Sequence, residues 1–506
     1  MTQPARSNLE NHQEALIELG SGLPALVWRK IVADAETPVG AAAKLMVPER
    51  GDFLLESVEG GEVRGRYSLL GLDPDLVFRT AGEKAEINRG WKQDKGTFAA
   101  CEQSSLLALR ALVNECRIDT PGELPPALAC LVGYFGYETI GLVEKLPRAD
   151  QSELELPDML FVRPTVILVF DRLTEDLFAI APIWADQSTP EALIERASDR
   201  IDDTLRKLAQ NSVPASAPQA SDIEMSAQIE PADYASMVSK AKDYIEAGDI
   251  FQVVLAQRFT TPFDLPPLSL YRSLRRVNPS PFLYFLDLPG FSVVGSSPEI
   301  LVRVRDGQVT IRPIAGTRPR GADAEADDAN EKSLLADPKE CAEHLMLLDL
   351  GRNDVGRVAA EGSVEVTDSF TVERYSHVMH IVSNVVGQLA DDYDALNALF
   401  AGFPAGTVSG APKIRACEII AELEPETRGA YAGGVGYFAP DGSVDSCIVL
   451  RTGVVKAGTL HIQAGAGIVA DSNAAYEQAE CEAKAGALIA AAREAVRVAN
   501  EPGFGQ

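Results

Sequence analysis

The chain has 506 residues, of which 46% are hydrophobic and 24% charged, a composition typical of a globular protein with a sizeable core. Its formal net charge of −28 argues against a nucleic-acid partner, because binding a phosphate backbone needs a positive footprint. The N-terminus lacks the apolar stretch of a secretory signal, and no apolar run approaches the roughly 18 residues of a membrane span. Seven scattered cysteines without CxxC spacing predict a reducing, cytoplasmic environment.

A segment rich in Ser, Ala, Pro and Gln divides the chain. We predict a linker at 211–230, between an N-terminal region of residues 1–210 and a C-terminal domain of residues 231–495. Both parts are large enough to form a domain of their own.

Hydrophobic periodicity predicts both helices and strands along the chain. The apolar run at 158–171 predicts a buried strand pair or one long strand, and Asp306-Gly307 predicts a hairpin turn. Predicted helices cover 190–210, 231–247, 338–350, 411–423 and 473–497. Predicted strands cover 250–259, 282–288, 291–297, 432–438, 444–455 and 459–464. Strands in runs, with helices between the runs, indicate an α+β fold with sheets covered by helices.

Two predicted helices each carry a pair of glutamates spaced i, i+3. Glu340 and Glu343 lie on one face of the first helix, and Glu477 and Glu480 lie on one face of the second, with Lys484 one turn further on. A single pair of this kind is usually a solvated helix surface. Two pairs that face each other would instead suit a hard cation such as Mg²⁺.

Four further features allow both a structural and a functional interpretation. The glycines of GAGIVADS (465–472) form either a tight turn or an approach for an anion at a helix N-terminus. Thr407 lies in a loop that ends at a helix start. His380, in RYSHVMHIVSNVVG with His377, is either an interior histidine or a proton carrier. Glu299 is either a positioned acid or a loop residue.

Many motifs occur together and in one order. They are DIFQVVLAQRF, NPSPFLYFL, GSSPEILV, PIAGTRPRG, KECAEHLMLLDLGRNDVGRV, RYSHVMHIVSNVVG, FPAGTVSGAPKIRACEII, GAYAGGVGYF, IVLRTGVV and GAGIVADS, with LLESVEGGEVRGRYSLLG at 54–71. In this set the chain resembles the chorismate-utilising enzymes, most closely the large subunits of anthranilate synthases. The resemblance implies an α/β sandwich of two large sheets with helices packed between and around them.

The resemblance also implies roles for individual residues. Glu343 and Glu480 match Mg²⁺ ligands, with Glu340 and Glu477 as their helix-face partners, and Mg²⁺ would act as a Lewis acid on chorismate. Glu299 matches a general acid, and His380 matches a histidine tied to the elimination of pyruvate. The positions that match substrate contacts are Gly316, Thr317, Thr407, Tyr431, Arg451, Gly465, Ala466, Gly467 and Lys484. The arginines of RPIAGTRPRG at first suggest a clamp for an anion. Given the resemblance, we expect them instead to stabilise the local structure or to contribute to the local electrostatic field.

Two positions favour one reaction among the relatives. Isochorismate-forming relatives carry Lys where this chain has Gln252, and aminodeoxychorismate synthases carry Lys where it has Ala315. Gln252 cannot act as a base and Ala315 has no nucleophile, so free ammonia is expected to attack chorismate directly. The expected product is anthranilate, formed with pyruvate in the first step of tryptophan biosynthesis. Aminodeoxyisochorismate or aminodeoxychorismate synthase is the alternative.

The resemblance extends to regulation and assembly. Ser57 in LLES and Pro281, Phe282 and Leu283 in NPSPFL match a tryptophan-binding feedback site, where Phe and Leu replace the usual Tyr and Met. The chain contains no GxCxGxQ-like glutaminase elbow. We therefore expect ammonia from a separate glutamine amidotransferase subunit, in a hetero-oligomer with two copies of each subunit.

Overall fold

A computed structural model describes residues 9–59, 63–149, 153–210, 223–375 and 378–500. Most of the predicted linker (211–222) and His377 lie outside these ranges. The helices are α1 His12–Gly20, α2 Pro38–Leu45, α3 Ser105–Glu115, α4 Pro190–Leu208, α5 Pro231–Glu246, α6 Pro267–Val277, α7 Ala324–Ala336, α8 Pro338–Gly356, α9 Ala395–Ala401, α10 Lys413–Leu423 and α11 Ala474–Asn500. Short 3₁₀ helices cover Tyr137–Leu142 and Gly406–Val408.

The strands of the N-terminal half are β1 Ala25–Val32, β2 Asp52–Glu59, β3 Val63–Leu72, β4 Leu76–Ala81, β5 Lys84–Asn88, β6 Ala99–Ala100, β7 Leu131–Phe135, β8 Met159–Arg163, β9 Val166–Asp171 and β10 Asp176–Ile183. Those that follow are β11 Ser226–Ala227, β12 Gln252–Pro262, β13 Phe282–Leu288, β14 Phe291–Ser297, β15 Ile300–Arg305, β16 Gln308–Ile311, β17 Ile314–Pro319, β18 Glu365–Arg374, β19 Val378–Gln388, β20 Gly410–Ala411, β21 Gly434–Phe438, β22 Val444–Ile448, β23 Thr452–Lys456 and β24 Thr459–Ile468.

The described strands form two large antiparallel sheets of twelve strands each, so the predicted two-sheet α+β architecture is confirmed. The first sheet runs β1-β10-β9-β3-β2-β13-β14-β23-β24-β12-β11, with β20 beside β12. The second runs β17-β19-β16-β15-β22-β21-β7-β8-β4-β5-β6, with β18 beside β19. Strands from both sides of the predicted linker share each sheet, since β2 pairs with β13 and β7 with β21.

Two predicted strands are interrupted because the chain crosses from one sheet to the other. The run at 158–171 forms two buried strands instead of one long strand, and these do not pair with each other, because β8 lies in the second sheet and β9 in the first. The single strand predicted at 444–455 is wrong: it divides into β22 and β23, which lie in different sheets. The break falls at 449–451, where Arg451 adopts a left-handed φ of 47° that a strand cannot continue through.

The other predicted elements are present with ends shifted by a few residues. Helices form near 190–210, 231–247, 338–350, 411–423 and 473–497, as predicted. Asp306 and Gly307 both have positive φ, 51° and 72°, and join β15 to β16 as the predicted hairpin turn. The sequence prediction did not include α1, α2, α3, α6, α7 or α9.

Helix packing leaves room for a cavity between the sheets. Helix α8 packs on β17 and β19 of the second sheet, whereas α11 packs on β24 of the first sheet and on α6. A continuous hydrophobic cluster fills most of the interior around them. None of the described helices is both long and apolar enough to cross a membrane.

Candidate active site

A cavity of about 660 Å³ lies between the two sheets, with walls from α8, α11, β12, β17, β19 and β24. It brings together most of the residues that the sequence singled out. Lining residues from that set are Gln252, Glu299, Ala315, Gly316, Thr317, Glu340, Glu343, His380, Thr407, Tyr431, Arg451, Gly465, Gly467, Glu477, Glu480 and Lys484. Ala466 is fully buried and does not line the cavity.

Glu299 and Arg451 lie on two neighbouring chain segments, here called crossings, where the chain passes from one sheet to the other. Glu299 stands between β14 and β15, and Arg451 stands between β22 and β23. The crossings are tied together, because Ile448 N–H donates to the Glu299 carbonyl at 3.0 Å and Ser296 N–H donates to the Arg451 carbonyl at 3.2 Å. The chain therefore delivers an acid and a guanidinium to the same side of the cavity where it leaves one sheet for the other.

Burial makes Glu299 a proton donor near neutral pH. Its side chain is 7% exposed, and desolvation raises its carboxyl pKa to about 8, while the Thr407 hydroxyl and the Arg451 charge act in the opposite direction. Thr407 Oγ1 donates to Glu299 Oε1 at 3.0 Å. Thr407 thus orients the acid, which favours the functional interpretation of this threonine over a helix cap. Lys413, from the same motif, is instead buried in an ion pair with Asp354 at 2.8 Å.

His380 is held in one tautomer by its neighbours. Its Nδ1 lies 3.0 Å from the Gly316 carbonyl oxygen and 3.1 Å from Thr317 Oγ1. A carbonyl can only accept, so Nδ1 carries the proton and Nε2 keeps its lone pair. Desolvation lowers the pKa of His380, so the ring is neutral at neutral pH and can accept a proton.

Arg451 presents an uncompensated guanidinium. Within the described ranges it has no ion-pair partner, although Glu299 and Tyr375 lie close enough to interact with it electrostatically whenever they are ionised. Burial lowers its pKa, but an arginine remains charged at any physiological pH. A partly buried guanidinium that faces a cavity without an ion-pair partner among the described residues is suited to bind a carboxylate, commonly through two hydrogen bonds.

The two glutamate pairs face the same cavity. Burial, and then the charges of Glu340 and Glu480, raise the pKa of Glu343; Glu340 is on its own helix and Glu480 on α11. Burial is also the main cause of the raised pKa of Glu477, to which Glu480 adds. Because carboxylates of α8 and α11 repel each other across the cavity, the pairs are not independent solvated faces. This is an all-oxygen donor set, the kind that Mg²⁺ prefers.

Three cations already balance part of this negative charge. Arg318 Nη1 lies 2.9 Å from Glu340 Oε1, and Lys484 Nζ lies 2.8 Å from Glu480 Oε1. Lys339 pairs with Asp471 at 3.1 Å at the same cavity. Among the described residues no three acidic, His or Cys groups converge closely enough to form a ready-made metal cluster. The carboxylates therefore fit a divalent cation by chemistry and location, and two of them, Glu340 and Glu480, are engaged in ion pairs.

Only the first half of the glycine motif at 465–472 is strand: β24 ends at Ile468, and 469–472 form the turn that leads to α11. Gly465 and Gly467 belong to β24, paired with β12, and α11 begins only at Ala474, so these glycines are not at a helix N-terminus as expected. They instead make space: a Cβ at Gly465 would lie 2.9 Å from the Tyr431 hydroxyl, and one at Gly467 would lie 2.6 Å from Gln252 Nε2.

The predicted tryptophan-binding residues lie on adjacent strands of the first sheet. Leu283 of β13 is opposite Glu56 of β2, which places Ser57 beside the 281–283 segment. Phe282 is opposite Ser297, the last residue of β14 before the crossing that carries Glu299. The β13–β14 pair therefore connects the predicted tryptophan-binding residues to the segment that carries Glu299 at the cavity.

Sequence reasoning missed several residues that act on the cavity. Lys339 and Asp471 line it and lie inside the motifs KECAEHLMLLDLGRNDVGRV and GAGIVADS, but nothing in the sequence distinguishes them as site residues, because single charged residues at helix starts and loops are common. The arginines of RPIAGTRPRG hold acidic side chains as expected: Arg312 pairs with Glu373, Arg318 with Asp337 and Glu340, and Arg320 with Asp327.

Comparison with known proteins gives a consistent result. Residues 52–490 match the family described as chorismate binding enzyme. The chain is 52% identical over 490 residues to "Anthranilate synthase component 1" of Cereibacter sphaeroides, covering 96% of this chain and 98% of the relative. It is 47% identical to the protein of the same name from Pseudomonas aeruginosa over 472 residues, 91% and 94% of the two chains.

A solved structure, that of anthranilate synthase component I from Streptococcus pneumoniae, superposes with a TM-score of 0.74 at 36% identity, covering 84% of this chain and 92% of the other. The menaquinone-specific isochorismate synthase from Escherichia coli superposes with a TM-score of 0.67 at 18% identity, covering 95% and 98% of the two chains, and supports the fold alone.

Proposed function

The chain belongs to the chorismate binding enzyme family, alongside the anthranilate synthase component 1 proteins, and we propose that it converts chorismate and ammonia to anthranilate and pyruvate. Ammonia would add at C2 while the C4 hydroxyl leaves as water, and pyruvate would then be eliminated with the C2 proton. The observation that carries this proposal is a protonated acid, Glu299, and a neutral imidazole, His380, in one cavity.

In the first step the chain's residues would bind and protonate. Arg451 would hold the enolpyruvyl carboxylate, since its guanidinium has no partner within the described residues, and Tyr431 would lie beside it. Glu299 would donate its proton to the departing C4 hydroxyl, a role that suits a carboxyl with a pKa of about 8. Thr407 would keep the carboxyl oriented through its hydrogen bond.

In the second step His380 would accept the C2 proton at Nε2, which the Nδ1 contacts to Gly316 and Thr317 leave free. Loss of this proton makes the ring aromatic and releases pyruvate. A neutral imidazole is required, and burial of His380 provides one.

We propose Mg²⁺ as the cofactor, with Glu343 and Glu480 as ligands and Glu340 and Glu477 beside them. When bound, the ion would supply Lewis acidity at the ring carboxylate of chorismate. The raised pKa values of Glu343 and Glu477 support this assignment, because neighbouring carboxylates that repel one another are stabilised by a shared cation.

Two lining residues favour ammonia as the nucleophile. Gln252 and Ala315 both line the cavity, at the positions where related enzymes of other specificity carry Lys. An amide and a methyl group can neither deprotonate water nor attack the ring. We therefore favour anthranilate formation over isochorismate or aminodeoxychorismate formation.

We further propose a separate partner that supplies ammonia from glutamine. The relatives are named as a first component, and the sequence has no glutaminase elbow of its own. Tryptophan is proposed as an inhibitor that binds at Ser57 and 281–283, with Phe282 opposite Ser297 as the link to Glu299. The cysteines, none of which is disulfide-bonded, support a cytoplasmic location.

The test uses the purified chain with chorismate, Mg²⁺ and an ammonium salt at mildly alkaline pH, followed by anthranilate fluorescence. We expect fluorescence to rise as chorismate is consumed, without any partner. Consumption of chorismate without fluorescence would instead support aminodeoxyisochorismate synthase. No consumption at all would contradict an enzymatic role and support a silent regulatory subunit.

A further inference from the structure

Tyr375 lies directly behind the catalytic cavity without lining it. Its side chain is 8% exposed, and its ring meets the imidazole of His380 edge-on, with centroids 5.6 Å apart and planes at 63°. We propose that Tyr375 is a positioning residue that fixes the orientation and tautomer of His380, and that two arginines of the RPIAGTRPRG stretch hold Tyr375 in place. The kinetic part of this inference rests on the proposed function.

The hydroxyl end of Tyr375 is anchored by one of these arginines through a glutamate. Tyr375 Oη donates to Glu373 Oε2 at 2.9 Å, and Glu373 Oε1 accepts from Arg312. Burial and the Glu373 charge raise the pKa of Tyr375, so the hydroxyl stays protonated and remains a donor. The ring is thus fixed at the end furthest from the backbone.

The backbone end is anchored by the other arginine. Arg320 Nη1 donates to the Tyr375 carbonyl at 2.6 Å, and Arg320 is itself braced by Asp327 at 2.7 Å. Tyr375 N–H donates to the Val378 carbonyl at 2.8 Å, which ties the residue to the start of β19. Tyr375 is therefore restrained at both ends.

This restraint acts on the ring of His380. Rotating the imidazole by 180° about its Cβ–Cγ bond would break the Nδ1 contact with Gly316 and turn Nε2 away from the cavity. The edge-on tyrosine ring occupies one side of the imidazole and excludes water there, which favours the neutral ring, and it keeps Nδ1 against the Gly316 carbonyl, which selects one tautomer. A residue that only filled the core would have no such effect on the histidine.

The experiment observes His380 directly by NMR in protein labelled with ¹⁵N-histidine. The chain has five histidines, so few signals have to be assigned. The His380 signals are assigned by their loss in His380→Asn. In the unmodified protein we expect a protonated Nδ1 and an unprotonated Nε2. Tyr375→Leu should produce a mixture of tautomers and move the His380 pKa up towards its ordinary value, while Tyr375→Phe, which keeps the ring, should preserve the single tautomer.

A second histidine that contacts an aromatic ring provides a matched control. Phe370 meets the His344 ring edge-on with centroids 4.7 Å apart, and His344 lies outside the cavity lining. Phe370→Leu removes an aromatic ring of similar size from an equivalent contact. We expect it to shift the His344 signals and leave the His380 tautomer unchanged.

Kinetic measurements on the same variants provide the second part of the test. Tyr375→Leu should lower kcat about 10-fold with KM within about 2-fold, and raise the pKa of the acid limb of the pH–rate profile, because general-base catalysis contributes about 10²–10⁴-fold in total. Tyr375→Phe should recover most of the rate. Unchanged His380 tautomer and pKa in Tyr375→Leu would overturn the inference, even if the chain proved to make no anthranilate. Absence of anthranilate with an altered His380 tautomer would contradict the proposed function only.

Discussion

The cavity and a cluster formed by Glu56, Tyr271, Arg275 and Arg172 are two polar sites associated with the first sheet. Charged groups are paired in the cluster, whereas some are left unpaired or close to like charges in the cavity. Both oxygens of Glu56 are hydrogen-bonded: Tyr271 Oη lies at 2.7 Å, Arg275 Nε at 2.9 Å and Arg172 Nη2 at 2.6 Å. In the cavity, Arg451 has no ion-pair partner in the described part of the chain, and burial, together with neighbouring like charges, raises the pKa of Glu343. A buried network with satisfied groups stabilises a fold, whereas unsatisfied charge is left available for a ligand.

Removing one cavity carboxylate should give the largest change in activity. Glu343→Gln is expected to lower Mg²⁺-dependent turnover by about 10²–10³-fold, because a Lewis-acid metal contributes several kcal/mol. The melting temperature should hold or rise slightly, since repulsion from Glu340 and Glu480 is relieved. Asp349→Asn, on an exposed part of the same helix, is the control. Normal turnover in Glu343→Gln would remove the metal assignment.

Removing the carboxylate of the satisfied cluster should affect stability instead. Glu56→Ala leaves the partly buried Arg275 and Arg172 without the buried carboxylate that they share, and we expect a loss of about 3–5 kcal/mol in the free energy of unfolding. The kcat with saturating chorismate should change less than about 2-fold. Urea denaturation followed by fluorescence measures the first quantity. A stable but inactive variant would show that the two sites do not differ as described.

The pH dependence should identify Glu299 as the acid. A carboxyl with a pKa of about 8 is protonated below that pH, so the rate at constant free ammonia should fall as pH rises through 8. In Thr407→Val the carboxylate loses a hydrogen bond that stabilises its charged form, so the pKa should rise and the alkaline limb should move to higher pH. A limb that moves to lower pH would contradict this geometry.

The smallest effect concerns the glycines of β24. Gly465→Ala places a methyl group against the Tyr431 hydroxyl and, at 3.0 Å, the Leu255 carbonyl, so we expect KM for chorismate to rise about 5–30-fold. Gly467→Ala meets only the flexible end of Gln252 and should change KM less than about 3-fold. Equal effects at the two positions would indicate that the methyl groups do not act through these contacts.

The helix that carries Glu340 and Glu343 could be predicted because its signals are local. The Asp337 side chain accepts from Lys339 N–H and Glu340 N–H, as its position before Pro338 indicates, and the i, i+3 spacing places the glutamates on one face. Whether that face meets α11 depends on how two sheets pack, and no local pattern encodes this. The contribution of Glu480 to the raised pKa of Glu343, which adds to those of burial and Glu340, appears only once both helices are in place.

The break at Arg451 could not be predicted for the same kind of reason. The sequence Ile448-Val449-Leu450-Arg451 continues the apolar pattern of a strand and has no Gly or Pro to interrupt it. The chain turns there because β22 pairs in one sheet and β23 in the other. Tyr375 was missed because an aromatic residue near a histidine in sequence gives no indication of a ring contact.

The most direct test of the two-step account compares chorismate consumption with pyruvate release in His380→Asn and Glu299→Gln, with Mg²⁺ and ammonium present. If Glu299 acts first and His380 second, Glu299→Gln should slow consumption itself. His380→Asn should consume chorismate, accumulate an aminated intermediate and release little pyruvate. Pyruvate released in a 1:1 ratio with chorismate consumption, at the rate of the unmodified protein in His380→Asn, would contradict the account.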